Sequence, residues 1–503
     1  MPIDVSPGEA TATALIDTTT GAGATLPRVL GLTSAYCVVV GSVIGSGIFM
    51  VPSQVARDVP SIVPIVLVWI IGGIFSTFGA LTLAELGAML PHAGGPYVYL
   101  REAYGRLPAF LFGWSEFLIN RTGSMATLAT AFAAHFALVS TPPRGIQAEV
   151  WQAGAAVSAI AIVTIVNVLG TAWGGKLQVL GTVLKVGGVL ALIILPIVLG
   201  GGSASNLSPL WPKAVDAGLV SGMMAAMVGV LWAYDGWMNL TPLAEEVREP
   251  GRNLPKALAL GMATLVTLYL AATVAYHYVL PIETIEAGKR EAGLTVAATY
   301  CKALIGPNGA YAIAALVMCS TFISLNGNAL TGPRSYFAMA RDGVFPAGIS
   351  RVHSRFGTPA NAILAQGGWS IALVVLGTVM ILWPAPGPES GLPEPLRLAW
   401  LKLNETPLYR ILYSYVVFGA NLFYLLAIAS VFVLRIKRPD LPRPYRTWGY
   451  PFTPLIFVSA SLYLLWDMLQ QTRAESLSGL LIILAGVPAY LFFSRSSARK
   501  ENV

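Results

Sequence analysis

GSVIGSGIF, residues 41–49, lies inside the first long apolar segment and decides how the chain is read. Three glycines and two serines interrupt what is otherwise a membrane-spanning pattern. Glycine weakens a helix by about 1 kcal/mol relative to alanine. In lipid a freed backbone group costs several kcal/mol more unless something satisfies it. A break at membrane depth is therefore expected where the backbone lines a cavity or meets a ligand. Packing is the simpler alternative, because Gly41 and Gly45 also form a GxxxG pair.

The surrounding sequence places this stretch in a polytopic membrane protein. Of 503 residues, 55% are hydrophobic and 11% charged, against roughly 25% charged in a soluble domain. Apolar runs long enough to span a bilayer recur along the whole length. We read twelve spans, near 33–56, 61–89, 108–138, 150–170, 177–200, 217–243, 255–280, 310–340, 360–384, 411–435, 450–470 and 476–494. The net charge of +7 sits in short loops, so it does not point to nucleic acid. Residues 1–32 are small, polar and threonine-rich and read as a disordered cytoplasmic tail. Cys37, Cys301 and Cys319 show no metal spacing.

Loop charge sets the expected orientation. With the N-terminus inside, eighteen Lys and Arg residues fall in inner segments and ten in outer loops. The positive-inside rule then puts both termini, including 495–503, in the cytoplasm of a plasma (inner) membrane protein.

The sixth span carries a second irregularity, LWAYDGWMNL at 231–240, followed by Pro242. Spans one and six are five apart, and five is odd. A repeat of spans one to five (33–200) onto six to ten (217–438) has inverted topology, with two peripheral helices at 450–494. Paired broken helices at matching places point to a transporter's central site. The fold class expected is thus an all-α, twelve-span, five-plus-five inverted-repeat transporter with helices one and six broken.

The candidate binding residues follow from the two breaks. If Ile44, Gly45, Ser46, Gly47 and Ile48 are unwound, their N–H groups and the following half-helix favour a carboxylate. In span six, Asp235 costs about 2.5–3.5 kcal/mol near mid-membrane. It reads either as a partner for a substrate amino group or as a cap on the second half-helix. Gly236 allows the turn beside it, and Trp232 reads as a lid over substrate or as packing. Lys185, in the middle of span five, needs acceptors. The carbonyls of Gly41 to Ile44 and the hydroxyls of Ser320, Thr321 and Ser324 on span eight are candidates. A fixed cation there takes the place of a bound sodium ion, and a lysine that loses its proton is the alternative. Arg121 reads as a structural ion-pair member with Glu116 or Glu85, and Arg334 as an interfacial anchor. No GxSxG, HExxH or P-loop occurs, so no enzymatic activity, cofactor or ATP-driven step is expected.

These motifs resemble the L-type amino acid transporter family of the amino acid/polyamine/organocation superfamily. The resemblance rests on GSVIGSGIF, LAELGAMLPHAGGPYVYLREAYG, Lys185, LWAYDGWMNLTPLAEEVREPGRNLP, SLNGNALTGPRSYFAMARDGVFP and RIKRPDLPRP, from about residue 30 onward. It implies alternating-access, sodium-independent exchange of amino acids, with proton coupling or a non-transporting sensor as alternatives. It further implies that Gly45–Gly47 bind the substrate carboxylate, that backbone near Trp232 and Ala233 receives the amino group, and that Trp232 is the gate. Lys185 would link spans one, five and eight. Ser140–Glu149 lacks the cysteine that animal members use for a heavy chain, so no disulfide-linked heavy chain is expected.

Overall fold

The computed structural model describes residues 25–212, 214–287, 295–383, 408–471 and 473–501, with isolated positions between 389 and 397. Residues 1–24 of the expected tail, with Lys213, Lys289, Arg290 and Lys402 of the charge count, lie outside the described residues. Among the described residues eleven helices are long and apolar enough to cross a membrane. A bent pair, Leu32–Val43 and Gly47–Asp58, makes the twelfth span, with a 42° change of direction at the break.

The remaining spans are Ile62–Met89, Arg106–Val139, Ala148–Val168, Thr171–Leu199, Ala217–Glu246, Pro250–Val279, Asn308–Arg341, Ala360–Leu382, Leu408–Lys437, Phe452–Gln471 and a last one from Arg473. The last is divided at Ala485 into Arg473–Leu484 and Gly486–Glu501, so helix continues into the segment read as a C-terminal tail. The connection after span seven holds two short helices, Ile282–Ala287 and Val296–Ile305. Span six is α-helical only over Ala217–Ala233; after a turn, Trp237–Glu246 continues as a 3₁₀ helix. Pro242 removes a donor inside that second half, and long 3₁₀ runs are uncommon outside functional hinges.

Two groups of spans pack around the breaks. Spans one, two, six and seven contact one another, and spans three, four, eight and nine form another set. The second set has its own core of Met125, Ala126, Ala129 and Ala133 against Ala156, Ala159, Ile160 and Val163. Small side chains let these helices approach closely where lipid supplies no hydrophobic drive. Span five contacts spans one, seven and eight and so bridges the groups.

The end of the bundle that carries Glu245 and Glu246 is closed by ion pairs. Arg334 is fully buried and donates to Glu246 at 2.7 and 3.1 Å and to Thr171 at 2.9 Å. It is therefore not the interfacial anchor read from the sequence: Glu246, three residues beyond Leu243 on the 3₁₀ turn, is carried inward to meet it. Arg341 donates to Glu245 at 2.8 and 3.0 Å, and Glu245 also accepts from the N–H groups of Leu26 and Ala93. Arg435 pairs with Glu85 at 2.7 and 2.9 Å, which removes Glu85 as a partner for Arg121. Residues 25–31, within the segment read as disordered, are placed against the bundle; Leu30 forms a parallel bridge with Val247, donates to Glu246 carbonyl and accepts from Arg248.

The loop PHAGGPY seals the same end. Gly94 and Gly95 have φ of 106° and 49°, and a Cβ on Gly95 would stand 2.7 Å from the Pro242 nitrogen. Tyr97 donates to Asp342 at 2.7 Å, and Arg101 donates to the same carboxylate at 2.6 and 2.7 Å. Burial and that carboxylate hold the Tyr97 phenol well above its usual range, so it remains a donor.

Replacing Arg334 with Met strands the Glu246 carboxylate in the interior. The expected loss is about 3–5 kcal/mol, read as a lower melting temperature in detergent, with partial recovery in Arg334→Met/Glu246→Gln. A single variant that melts with the wild type would count against a structural role for the pair.

Candidate functional site

The first break is a three-residue turn. Gly45 N–H donates to Val43 carbonyl at 2.7 Å, and Ser46, with φ −81° and ψ −13°, leads into the second half-helix. Its consequence is a set of carbonyls with no helical partner. Lys185, fully buried, supplies donors to two of them. Its Nζ donates to Gly41 O at 2.7 Å, Ile44 O at 2.6 Å and Ser324 Oγ at 2.8 Å. An ammonium has three donors, and all are used. Ser320 Oγ donates to Ile44 O at 2.9 Å and Gly45 O at 3.1 Å. Thr321 is not part of this cluster; its hydroxyl bonds Val317 and Met318 of its own helix.

While the carbonyls meet donors from spans five and eight, Gly45, Ser46 and Gly47 of the same break line a cavity. No acceptor among the described residues meets the Ser46 N–H. Gly47 begins the second half-helix, whose first N–H groups have no partner within it. The cavity, about 1010 Å³, is lined by Gly45, Ser46, Gly47, Trp232, Ala233, Asp235, Gly236 and Ser324 among others. It extends to exposed Glu149, at the end opposite the ion pairs. Ile44, Lys185, Ser320 and Thr321 do not line it.

The second break meets the first directly. A Cβ on Gly47 would lie 2.7 Å from Ala233 Cα. Gly236 has φ 119°, a conformation that favours glycine, and a Cβ there would be 3.0 Å from Ser42 carbonyl. Two half-helices thus touch through backbone, with the carboxylate of Asp235 beside the contact. That carboxylate accepts from Tyr424 of span ten at 2.8 Å.

These features combine a helix N-terminus and a carboxylate at one apolar-walled cavity, which suits a zwitterion. The sequence profile of the amino acid permease family matches residues 30–488. The chain belongs to that family. Its place is among the L-type amino acid transporters of the amino acid/polyamine/organocation superfamily. The mouse b(0,+)-type amino acid transporter 1 is 31% identical over 476 residues, covering 93% of this chain and 88% of the relative. The serine/threonine exchanger SteT of Bacillus subtilis (strain 168) is 29% identical, covering 94% and 98%. The human cystine/glutamate transporter is 29% identical, covering 93% and 85%.

Several cavity residues of this permease were not singled out as ligand-facing in the sequence. A turn of π-helix, Glu116–Asn120, widens span three and brings Glu116, Asn120, Arg121 and Ser124 to the wall. Arg121 donates to Glu116 at 2.6 Å, to Asn328 at 3.3 Å and to Asn239. The guanidinium thus ties spans three, six and eight at the cavity wall. Asparagines inside three different spans were the available signal, since each needs a partner in lipid. Met238 is buried in the core, while its neighbour Asn239 accepts from Arg121.

Gly45 and Gly47 should respond differently to alanine. At Gly45 the nearest atoms to a Cβ are 3.8 Å away, ordinary contact, whereas at Gly47 the Cβ meets backbone at 2.7 Å. Gly47→Ala is expected to lower the melting temperature and abolish uptake in vesicles. Gly45→Ala should melt with the wild type; the reverse order would contradict the packing of the breaks.

Proposed function

We propose that this permease exchanges amino acids across the plasma membrane by alternating access, without sodium. The observation that carries the reading is the division of the first break: its carbonyls are held by Lys185, Ser320 and Ser324, while Ser46, whose N–H meets no acceptor among the described residues, and Gly47 at the start of the next half-helix line the cavity. In this reading Ser46 and Gly47 bind the substrate carboxylate. The carbonyl end of Ala217–Ala233 and Asp235 receive the amino group, and Trp232 closes over the bound molecule. The serine/threonine exchanger among its relatives supports the same transport class.

The engagement of Lys185 favours a fixed cation over a proton carrier. A neutral amine has only two N–H donors and turns a lone pair toward one of three oxygens. A positive charge at that place, supplied by the chain, leaves no need for sodium. With the positive-inside orientation both termini are cytoplasmic, the cavity faces outward, and the ion-paired end is the closed inner gate. A segment Ser140–Glu149 without cysteine fits a stand-alone protein.

Purified protein in liposomes loaded with unlabelled amino acids should take up external labelled amino acid rapidly, and empty liposomes slowly. Equal rates would sink obligatory exchange, and binding with no counterflow would favour a sensor. Replacing external sodium with potassium should leave the rate unchanged. Uptake driven by an imposed pH gradient alone would instead support proton coupling.

A further inference from the structure

Tyr269 of span seven stands where the two breaks meet. Its hydroxyl lies 3.1 Å from Val43 carbonyl and 3.2 Å from Ala233 carbonyl. These are the last residues of the first half-helix of span one and of the α-helical half of span six. Both carbonyls sit at helix C-termini, where aligned peptide dipoles concentrate partial negative charge. Two such ends brought together repel unless a donor lies between them, and the phenol is placed to be that donor. Its ring is fixed by Trp69 and Tyr234, with centroids 5.7 and 5.1 Å away. Tyr234 is itself in the turn after Ala233 and donates to Trp69 carbonyl.

We infer that Tyr269 is a positioning residue for substrate binding: its hydroxyl holds the two broken helices at one spacing, and so sets the separation between the Ser46 N–H and the Ala233–Asp235 wall. The inference rests on the exchange function proposed above. Lys185, Ser320 and Ser324 hold the first break from the side of spans five and eight, but they do not bond span six. Tyr269 joins both breaks from within the group that carries them. Val43 carbonyl also accepts from Gly45 N–H, so the phenol acts on the turn that presents Gly45 to Gly47. The hydroxyl has one proton for two acceptors, and a replacement with two donors at the same position should serve at least as well.

The test is counterflow in liposomes, first with each of the twenty tritiated L-amino acids, then kinetics with the one that the wild type takes up fastest. Tyr269→Phe is expected to raise KM about fivefold, the scale of one hydrogen bond, with kcat within about twofold. Tyr269→4-aminophenylalanine should return KM to the wild-type value or below. Tyr36→Phe is the control. Tyr36 donates to Thr264 at 3.0 Å, so it joins spans one and seven away from the breaks, and its loss should leave KM unchanged. Should Tyr269→Phe fail to fold, 4-fluorophenylalanine fills the hydroxyl volume without a donor and carries the same expectation. Loss of folding in both, or a KM equal to wild type, overturns the inference and assigns the hydroxyl to structure alone. No uptake of any amino acid by the wild type overturns the exchange function itself, and the role of Tyr269 in it.

Discussion

A carbonyl released from a helix inside a membrane must find a donor, and this requirement organises the protein. The turn at Ile44–Ser46 frees several carbonyls at once, and the donors come from three different spans. Lys185 arrives from span five, Ser320 and Ser324 from span eight, and Tyr269 from span seven. Each bond would be worth about 1 kcal/mol if it merely replaced water. In lipid, where water is absent, the alternative is a penalty several times larger. The break therefore exists only while the surrounding helices keep their places, and their places are fixed partly by the break.

The same logic runs through the ion pairs at the closed end. Span six stops being α-helical after Ala233 and continues as a 3₁₀ helix, which brings two successive glutamates to opposite tasks. Glu245 reaches the N-terminal arm, the span-two loop and Arg341, while Glu246 reaches Thr171 and Arg334. A regular α-helix would turn these neighbours about 100° apart along a tighter rise and place both differently. The irregular helix thus shapes the cavity at one end and the closure at the other.

Much of this was legible in the sequence. The twelve spans, the two broken helices and the need of Lys185 for acceptors follow from hydropathy, glycine and proline placement and the cost of charge in lipid. Arg334 was misjudged because distance along the chain suggested an interface, and nothing local showed Glu246 folding back to it. Thr321 was grouped with Ser320 and Ser324 by spacing, yet a threonine hydroxyl can satisfy itself on its own helix, and this one does. Tyr269 carried no signal, since an aromatic in a buried span packs well whether or not its hydroxyl has a task. The π-turn in span three was equally silent; only the asparagines it helps to gather hinted that polar groups converge there.

The closure at the Glu245–Glu246 end is built from charges as well as apolar contacts, and charges part differently from apolar surfaces. Apolar surfaces that part in water lose their hydrophobic gain with no recompense. Buried ions that part recover hydration, which offsets the attraction they give up. Parting Arg334–Glu246, Arg341–Glu245 or Arg435–Glu85 would therefore bring water between the helices. In the proposed alternating-access cycle the ion-paired end therefore parts by wetting.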